Sequence, residues 1–79
     1  MEYIITKTSE WKHGIYPPCK NAKEKTVLYW GKPEWVWVVE INTLEDLMEL
    51  QNEHGDIIIR DSIKFDGYKE IVIYDDYME

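Results

Sequence analysis

The chain is poor in the residues that build covalent or metal-based sites. It has 79 residues with one cysteine, Cys19, and two histidines, His13 and His54. A single cysteine excludes an intramolecular disulfide, and these few soft ligands cannot complete a closed zinc site. We therefore expect no cofactor and no metal, and a reducing compartment.

Long apolar runs and a basic leader are also lacking. No stretch approaches the roughly 18 consecutive apolar residues of a membrane span. The start, MEYIITKTSE, has an acidic second residue and a short apolar core, unlike a signal peptide. We expect a cytoplasmic protein without a membrane partner.

Basic residues are scarce in the second half of the chain. Residues 40–79 contain twelve acidic and three basic side chains, whereas residues 1–39 contain four acidic and six basic ones. Nucleic-acid binding requires clustered lysine and arginine, so this half is not expected to bind nucleic acid directly. The distribution instead favours a partner protein with a basic surface.

The hydrophobic pattern predicts one α+β domain over residues 1–79. With 44% hydrophobic residues the chain has enough apolar surface to fold. A mostly antiparallel sheet of about five strands is expected, with one helix over residues 43–54 packed on one face. A long loop is expected at about residues 8–25, and a hairpin turn at residues 31–34.

The helix and the tryptophan-rich strand carry the predicted core. Asn42 or Thr43 can cap the helix and Gly55 can end it. The spacing of apolar residues predicts that Leu44, Leu47, Met48 and Gln51 face the sheet. Trp35 and Trp37 alternate onto one side of their strand, so at least one should be buried beneath the helix, against Leu47 or Met48.

Acidic side chains mark the candidate binding surface. Glu45, Glu49 and Glu53 are spaced four residues apart, which forms a stripe of like charge along one helix face. The ending IYDDYME adds carboxylates flanked by tyrosines, which are enriched at interfaces. We expect one negative surface for a basic partner, made by Glu45, Asp46, Glu49, Glu53, Tyr74, Asp75, Asp76, Tyr77 and Glu79.

Three other interpretations of these residues are open. Asp75 and Asp76 could serve a small metal-dependent enzyme, although adjacent side chains diverge in an extended strand and the known catalytic motifs are absent. The tryptophan-rich strand could form a homo-oligomer in an assembly subunit. The acidic helix face could simply aid solubility. We favour a non-enzymatic interaction protein.

The second half of the chain resembles a known sequence pattern. INTLEDLMELQNEHGDIIIRD followed by IVIYDDYME, within residues 41–79, resembles small accessory proteins of bacteriophages and prophages. The resemblance implies a protein of a bacterial host's cytoplasm. It also implies an inhibitor of host nucleic-acid-handling machinery, of the kind that includes anti-CRISPR proteins.

Overall fold

A computed structural model of the chain describes residues 1–7 and 15–74. In these ranges the elements are β1 (Glu2–Lys7), β2 (Lys23–Tyr29), β3 (Lys32–Glu40), α1 (Leu44–His54), β4 (Ile57–Asp61) and β5 (Lys69–Ile73). The strands form one sheet in the order β2-β3-β1-β5-β4. The pair β1–β5 is parallel and the other pairs are antiparallel. The predicted α+β fold is confirmed.

The centre of the sheet is formed by β-branched residues. In β1, Ile4 and Ile5 point to opposite faces and are both completely buried. Ile5 lies opposite Trp37 of β3 and Ile71 of β5. Because adjacent residues are buried on both sides, each face of the sheet must be covered.

The β2–β3 turn is tighter than the sequence indicated. It consists of Trp30 and Gly31, with φ of 50° and 81°. Positive φ at both central residues is the type I′ turn, whose twist matches that of a hairpin. The predicted turn at residues 31–34 was therefore wrong, since Pro33 lies inside β3 opposite Leu28. Proline is tolerated there because the position is near the start of a strand.

Both predicted helix caps are confirmed. The hydroxyl of Thr43 accepts a hydrogen bond from the Asp46 N–H, and the Asp46 carboxylate accepts from the Thr43 N–H. This reciprocal pair is a capping box. At the other end Gly55, with φ of 79°, donates its N–H to the Gln51 carbonyl at 2.7 Å.

The helix face that meets the sheet differs from the predicted one. Leu50 is buried and Leu47 is partly buried against the core, whereas Leu44 and Met48 are 71% and 51% exposed. Gln51 is exposed as well. The buried positions also have helical spacing, so periodicity alone could not choose between two faces that share Leu47 and are centred about 80° apart.

The helix covers a core rich in aromatic and β-branched side chains. Trp37 is 7% exposed, and its ring meets that of Trp35 edge to face at a centroid distance of 5.7 Å. The expected burial of a tryptophan beneath the helix is confirmed. The cluster's buried members are Ile5, Trp37, Val39, Leu50, Ile71 and Ile73.

The connection between β4 and β5 covers the opposite face. Phe65 of this segment is completely buried, and its ring lies 5.2 Å from that of Tyr29. The Trp30 N–H donates to the Lys64 carbonyl at 2.9 Å, which ties the connection to the hairpin. This second cluster consists of Ile4, Val27, Val36, Val38 and Phe65.

One carboxylate is buried in this second layer. Glu70 is 1% exposed and accepts a hydrogen bond from the Thr6 hydroxyl at 3.0 Å. Arg60 and Lys64 lie 3.7 and 3.9 Å from the same carboxylate oxygen. A buried charge is tolerated when it is hydrogen bonded and paired, as here.

Trp37→Ala should lower the free energy of unfolding by about 3–5 kcal/mol, because it removes a large buried side chain and leaves a cavity. A chain of this size has roughly 4–12 kcal/mol of stability, so the variant should lose a large fraction of it and melt at a clearly lower temperature than wild type. Trp30→Ala is the control, since Trp30 is 61% exposed. Thermal melts followed by circular dichroism measure both, and equal losses would contradict the assigned core.

Candidate functional site

The glutamate stripe on the helix is exposed to solvent. Glu45, Glu49 and Glu53 all have exposed side chains. None of the three makes an ion pair with a residue of the ranges 1–7 and 15–74. Their mutual repulsion therefore lacks compensation from described cations.

Asp46, the fourth acidic residue of the predicted helix surface, also caps the helix. Its Oδ2 atom accepts hydrogen bonds from the N–H groups of Asn42 at 3.0 Å and Thr43 at 3.2 Å. These bonds hold the pKa of the Asp46 carboxyl below its usual range, with the Asn42 N–H as the largest cause. One of its oxygens is thus occupied by the capping box.

Asp46→Asn should reduce the dependence of stability on acid pH. A carboxyl whose pKa is lowered by folding stabilises the fold above its unfolded pKa, and this contribution is lost as the pH falls through its folded pKa. The difference in unfolding free energy between wild type and variant should be largest near neutral pH and shrink below about pH 4. Urea unfolding at several pH values measures it, and a constant difference would refute the capping assignment.

Residues 18–22 lie beside the helix rather than projecting as a simple loop. The Nε2 atom of His54 is 2.5 Å from the Pro18 carbonyl oxygen, and Pro18 is buried. The Ala22 N–H donates to the Cys19 carbonyl at 3.2 Å, which forms a turn. Cys19 and Ala22 both pack against the helix-side core.

A groove of about 390 Å³ runs between the helix and this turn. Its floor is apolar and formed by Val39, Ile41 and Leu50. Its rim carries four carboxylates, those of Glu40, Asp46, Glu49 and Glu53, and the single ammonium group of Lys20. Cys19, Asn21 and Asn52 complete the lining. We call this feature the acidic groove.

The rim carboxylates differ in how far they are neutralised. Glu40 Oε2 lies 2.6 Å from the amino group of Met1 and forms an ion pair with it. Asp46 is engaged in the cap. Glu49 and Glu53 are left as the carboxylates best placed to meet a cation entering the acidic groove.

The pKa of the Cys19 thiol depends on the charge and burial within the acidic groove. Burial raises the pKa of the Cys19 thiol, and the carboxylates of Glu53 and Glu49 raise it further, against the opposing effect of hydrogen bonds from Asn21 and Ala22. The thiol is consequently protonated at neutral pH, and a thiol reacts as a nucleophile only after deprotonation. This environment suits a structural cysteine.

The structure brings together some of the predicted site residues. Asp46, Glu49 and Glu53 line the acidic groove, and Glu45 lies beside Met48 in an adjoining shallow depression. Tyr74 is 52% exposed and donates its N–H to the carbonyl of Asp56, just beyond the helix end. Asp75, Asp76, Tyr77 and Glu79 lie outside the described residues, so their continuity with the helix surface stays a prediction.

Sequence reasoning missed the floor of the groove and its second wall. Val39 and Ile41 lie on the same side of the sheet as Trp35 and Trp37, but their position beside the helix could not be inferred. Lys20 and Cys19 belong to a segment without periodicity. The contact between His54 and Pro18 and the packing of Cys19 and Ala22 on the core bring that segment to the helix.

Within residues 1–7 and 15–74, no group of three or more histidine, cysteine, aspartate or glutamate side chains could hold a metal ion. The expected absence of a metal site at Asp75 and Asp76 concerns residues beyond these ranges and stays a prediction. In the same described ranges, no helix is long and apolar enough to cross a membrane.

No family model, curated protein or solved structure matches this chain. The resemblance of residues 41–79 to phage accessory proteins therefore stays a prediction. Inference on function rests on the geometry and charge of the acidic groove.

Glu49→Gln/Glu53→Gln should accelerate alkylation of Cys19 by iodoacetamide at neutral pH. Removing two carboxylates lowers the thiol pKa and raises the thiolate fraction. Glu24→Gln/Glu34→Gln, a pair on β2 and β3, is the control and should leave the rate unchanged. Mass spectrometry of timed reactions gives the rates, and equal rates in all three proteins would show that the groove carboxylates do not act on Cys19.

Proposed function

We propose that the chain is a small non-enzymatic interaction protein that binds a basic surface of a partner protein through the acidic groove and the exposed helix face. The observation that supports this most is the combination of an apolar floor with a carboxylate rim. Lysine and arginine side chains have the matching chemistry, an apolar stem and a charged head.

The lining of the groove indicates how such a side chain would bind. Its methylene stem would pack on Val39, Ile41 and Leu50, and its head would reach Glu49 and Glu53 at the rim. Arginine is favoured over lysine because its planar guanidinium can donate two parallel hydrogen bonds to one carboxylate. The contact would extend along the helix to Glu45 and the exposed Met48.

The partner class follows from the charge of the site. Proteins that handle nucleic acids carry basic surfaces for phosphate groups. An acidic protein bound there would compete with the nucleic acid, which agrees with the inhibitor function and the bacterial-host context implied by the resemblance of residues 41–79. Tyr74, Asp75, Asp76, Tyr77 and Glu79 are proposed to add to the same contact.

Assembly through the tryptophan-rich strand is a weaker candidate. That strand, β3, is flanked by β2 and β1, so it has no open edge. Its tryptophans pack in the helix-side core, where Trp37 is 7% exposed. We therefore place the partner contact on the acidic groove.

Glu49→Lys should abolish binding of a short arginine-rich peptide, because it replaces a rim carboxylate by an ammonium group, which repels the positively charged peptide. Asp66→Lys is the matched control. It makes the same change in net charge at an exposed residue of the connection that covers the opposite face. Chemical-shift titration of the labelled protein should show wild type and Asp66→Lys responding at Cys19, Val39 and Leu50, and Glu49→Lys responding at none.

Salt provides a second readout of the same contact. Exposed charges are screened beyond about 8 Å at physiological ionic strength, so affinity for the peptide should fall as salt rises. Proteins captured from a bacterial lysate by wild type and lost with Glu49→Lys would then be identified by mass spectrometry. Equal capture by Glu49→Lys and Asp66→Lys would overturn the proposed contact.

A further inference from the structure

The outer edge of β4 has backbone groups available for pairing. The Tyr74 N–H donates to the Asp56 carbonyl, which marks this opposed pair as hydrogen bonded. Bonded and non-bonded pairs alternate along an antiparallel ladder, so the N–H and C=O groups of Ile57 and Ile59 point away from β5. Among residues 1–7 and 15–74, no strand pairs with that side of β4.

This edge is less protected than the opposite edge of the sheet, since three isoleucines precede its charged pair, Arg60 and Asp61. Strand β2 begins with Lys23, Glu24 and Lys25, charged residues of the kind that prevent pairing with other chains. Strand β4 instead presents Ile58 and Ile59, which are 43% and 42% exposed. An apolar edge of this kind is a template for strand addition.

The side chains of the β4 edge are complementary to those of the same edge in a second copy of the chain. Asp56, Ile58 and Arg60 alternate onto one face, in the order acid, isoleucine, base. A two-fold axis through Ile58 reverses this order in a second copy, so Asp56 of each chain lies opposite Arg60 of the other. On the other face Ile57 lies opposite Ile59, so isoleucines meet isoleucines.

We propose that β4 pairs antiparallel with β4 of a second copy of this chain, about a two-fold axis at Ile58, and so joins two sheets edge to edge. The residues that point outward in this register, Ile57 and Ile59, are those whose backbone groups are available. An axis at Ile59 would place Arg60 opposite Ile58 and Ile57 opposite Asp61, setting charges against apolar side chains. Charge complementarity therefore selects the first register.

The proposed dimer is weak and forms with rising concentration, because two short strands bury less than a standard interface of about 1,600 Å². It is independent of the acidic groove, which lies on the helix side, and stands whether or not that groove binds a basic partner. The backbone contacts would be between identical surfaces, as closed two-fold dimers require.

Sedimentation velocity over a concentration series up to about 1 mM tests the proposal in that weak regime. Wild type should shift from monomer to dimer, and Ile59→Lys should lose the dimer because a charge would face Ile57 of the second copy. Leu28→Lys is the control, since Leu28 is 48% exposed on the other edge strand and the variant carries the same net charge as Ile59→Lys, and it should dimerise at least as readily as wild type. A monomeric wild type, or equal dimers in Ile59→Lys, would overturn the proposal.

A charge-reversal pair tests the register and does not depend on the folding of Ile59→Lys. The chain has a net charge of −7, so any acid-to-base change reduces repulsion between copies and by itself strengthens association. Asp66→Lys should therefore strengthen the dimer. Asp56→Lys should weaken it, because the new lysine would face Arg60 of the second copy and repel it. Dimers of Asp56→Lys at least as stable as those of Asp66→Lys would refute the register.

Discussion

The three central strands of the sheet are buried and largely apolar on both faces, so the rest of the fold has to cover both of these faces. Ile4 and Ile5 of β1 are both completely buried although they point in opposite directions. The helix covers one side through Leu50, and the connection between β4 and β5 covers the other through Phe65. The described residues contain one helix, which covers one face, and an irregular segment forms the second layer and is held by its contact with the hairpin turn.

The buried carboxylate of Glu70 restricts how β5 can align with its neighbours. A shift of one residue in a strand moves every side chain to the other face. Such a shift would carry Glu70 into the helix-side core, away from Thr6, Arg60 and Lys64, and leave a charge among isoleucine and tryptophan side chains. A buried ion pair contributes little net stability over an apolar substitute, but leaving it unpartnered is costly. Its effect is therefore to exclude the wrong register.

Local signals predicted the elements, and tertiary contacts decided what the sequence could not. The capping residues Thr43 and Gly55 fixed the helix ends, and alternation in β3 placed Trp35 and Trp37 together. The predicted rotation of the helix about its axis was wrong, because Leu44 and Met48 fit helical spacing as well as Leu50 does. The acidic groove was only half foreseen. Its glutamates follow from the stripe on the helix, but its other wall depends on the hydrogen bond between His54 and Pro18, which joins residues 36 positions apart.

The pairing of β1 with β5 is the slow step in folding of the sheet. Thr6 and Glu70 are 64 residues apart in sequence, and they meet across adjacent strands. Closing so long a loop costs more entropy than forming the β2–β3 hairpin, whose strands are joined by two residues. The hairpin and the helix can therefore form early, while the central pair must await a search over most of the chain. Before that step the edges of β1 and β5 that face each other in the native sheet are unpaired, so the interval before closure is when this protein is most exposed to aggregation.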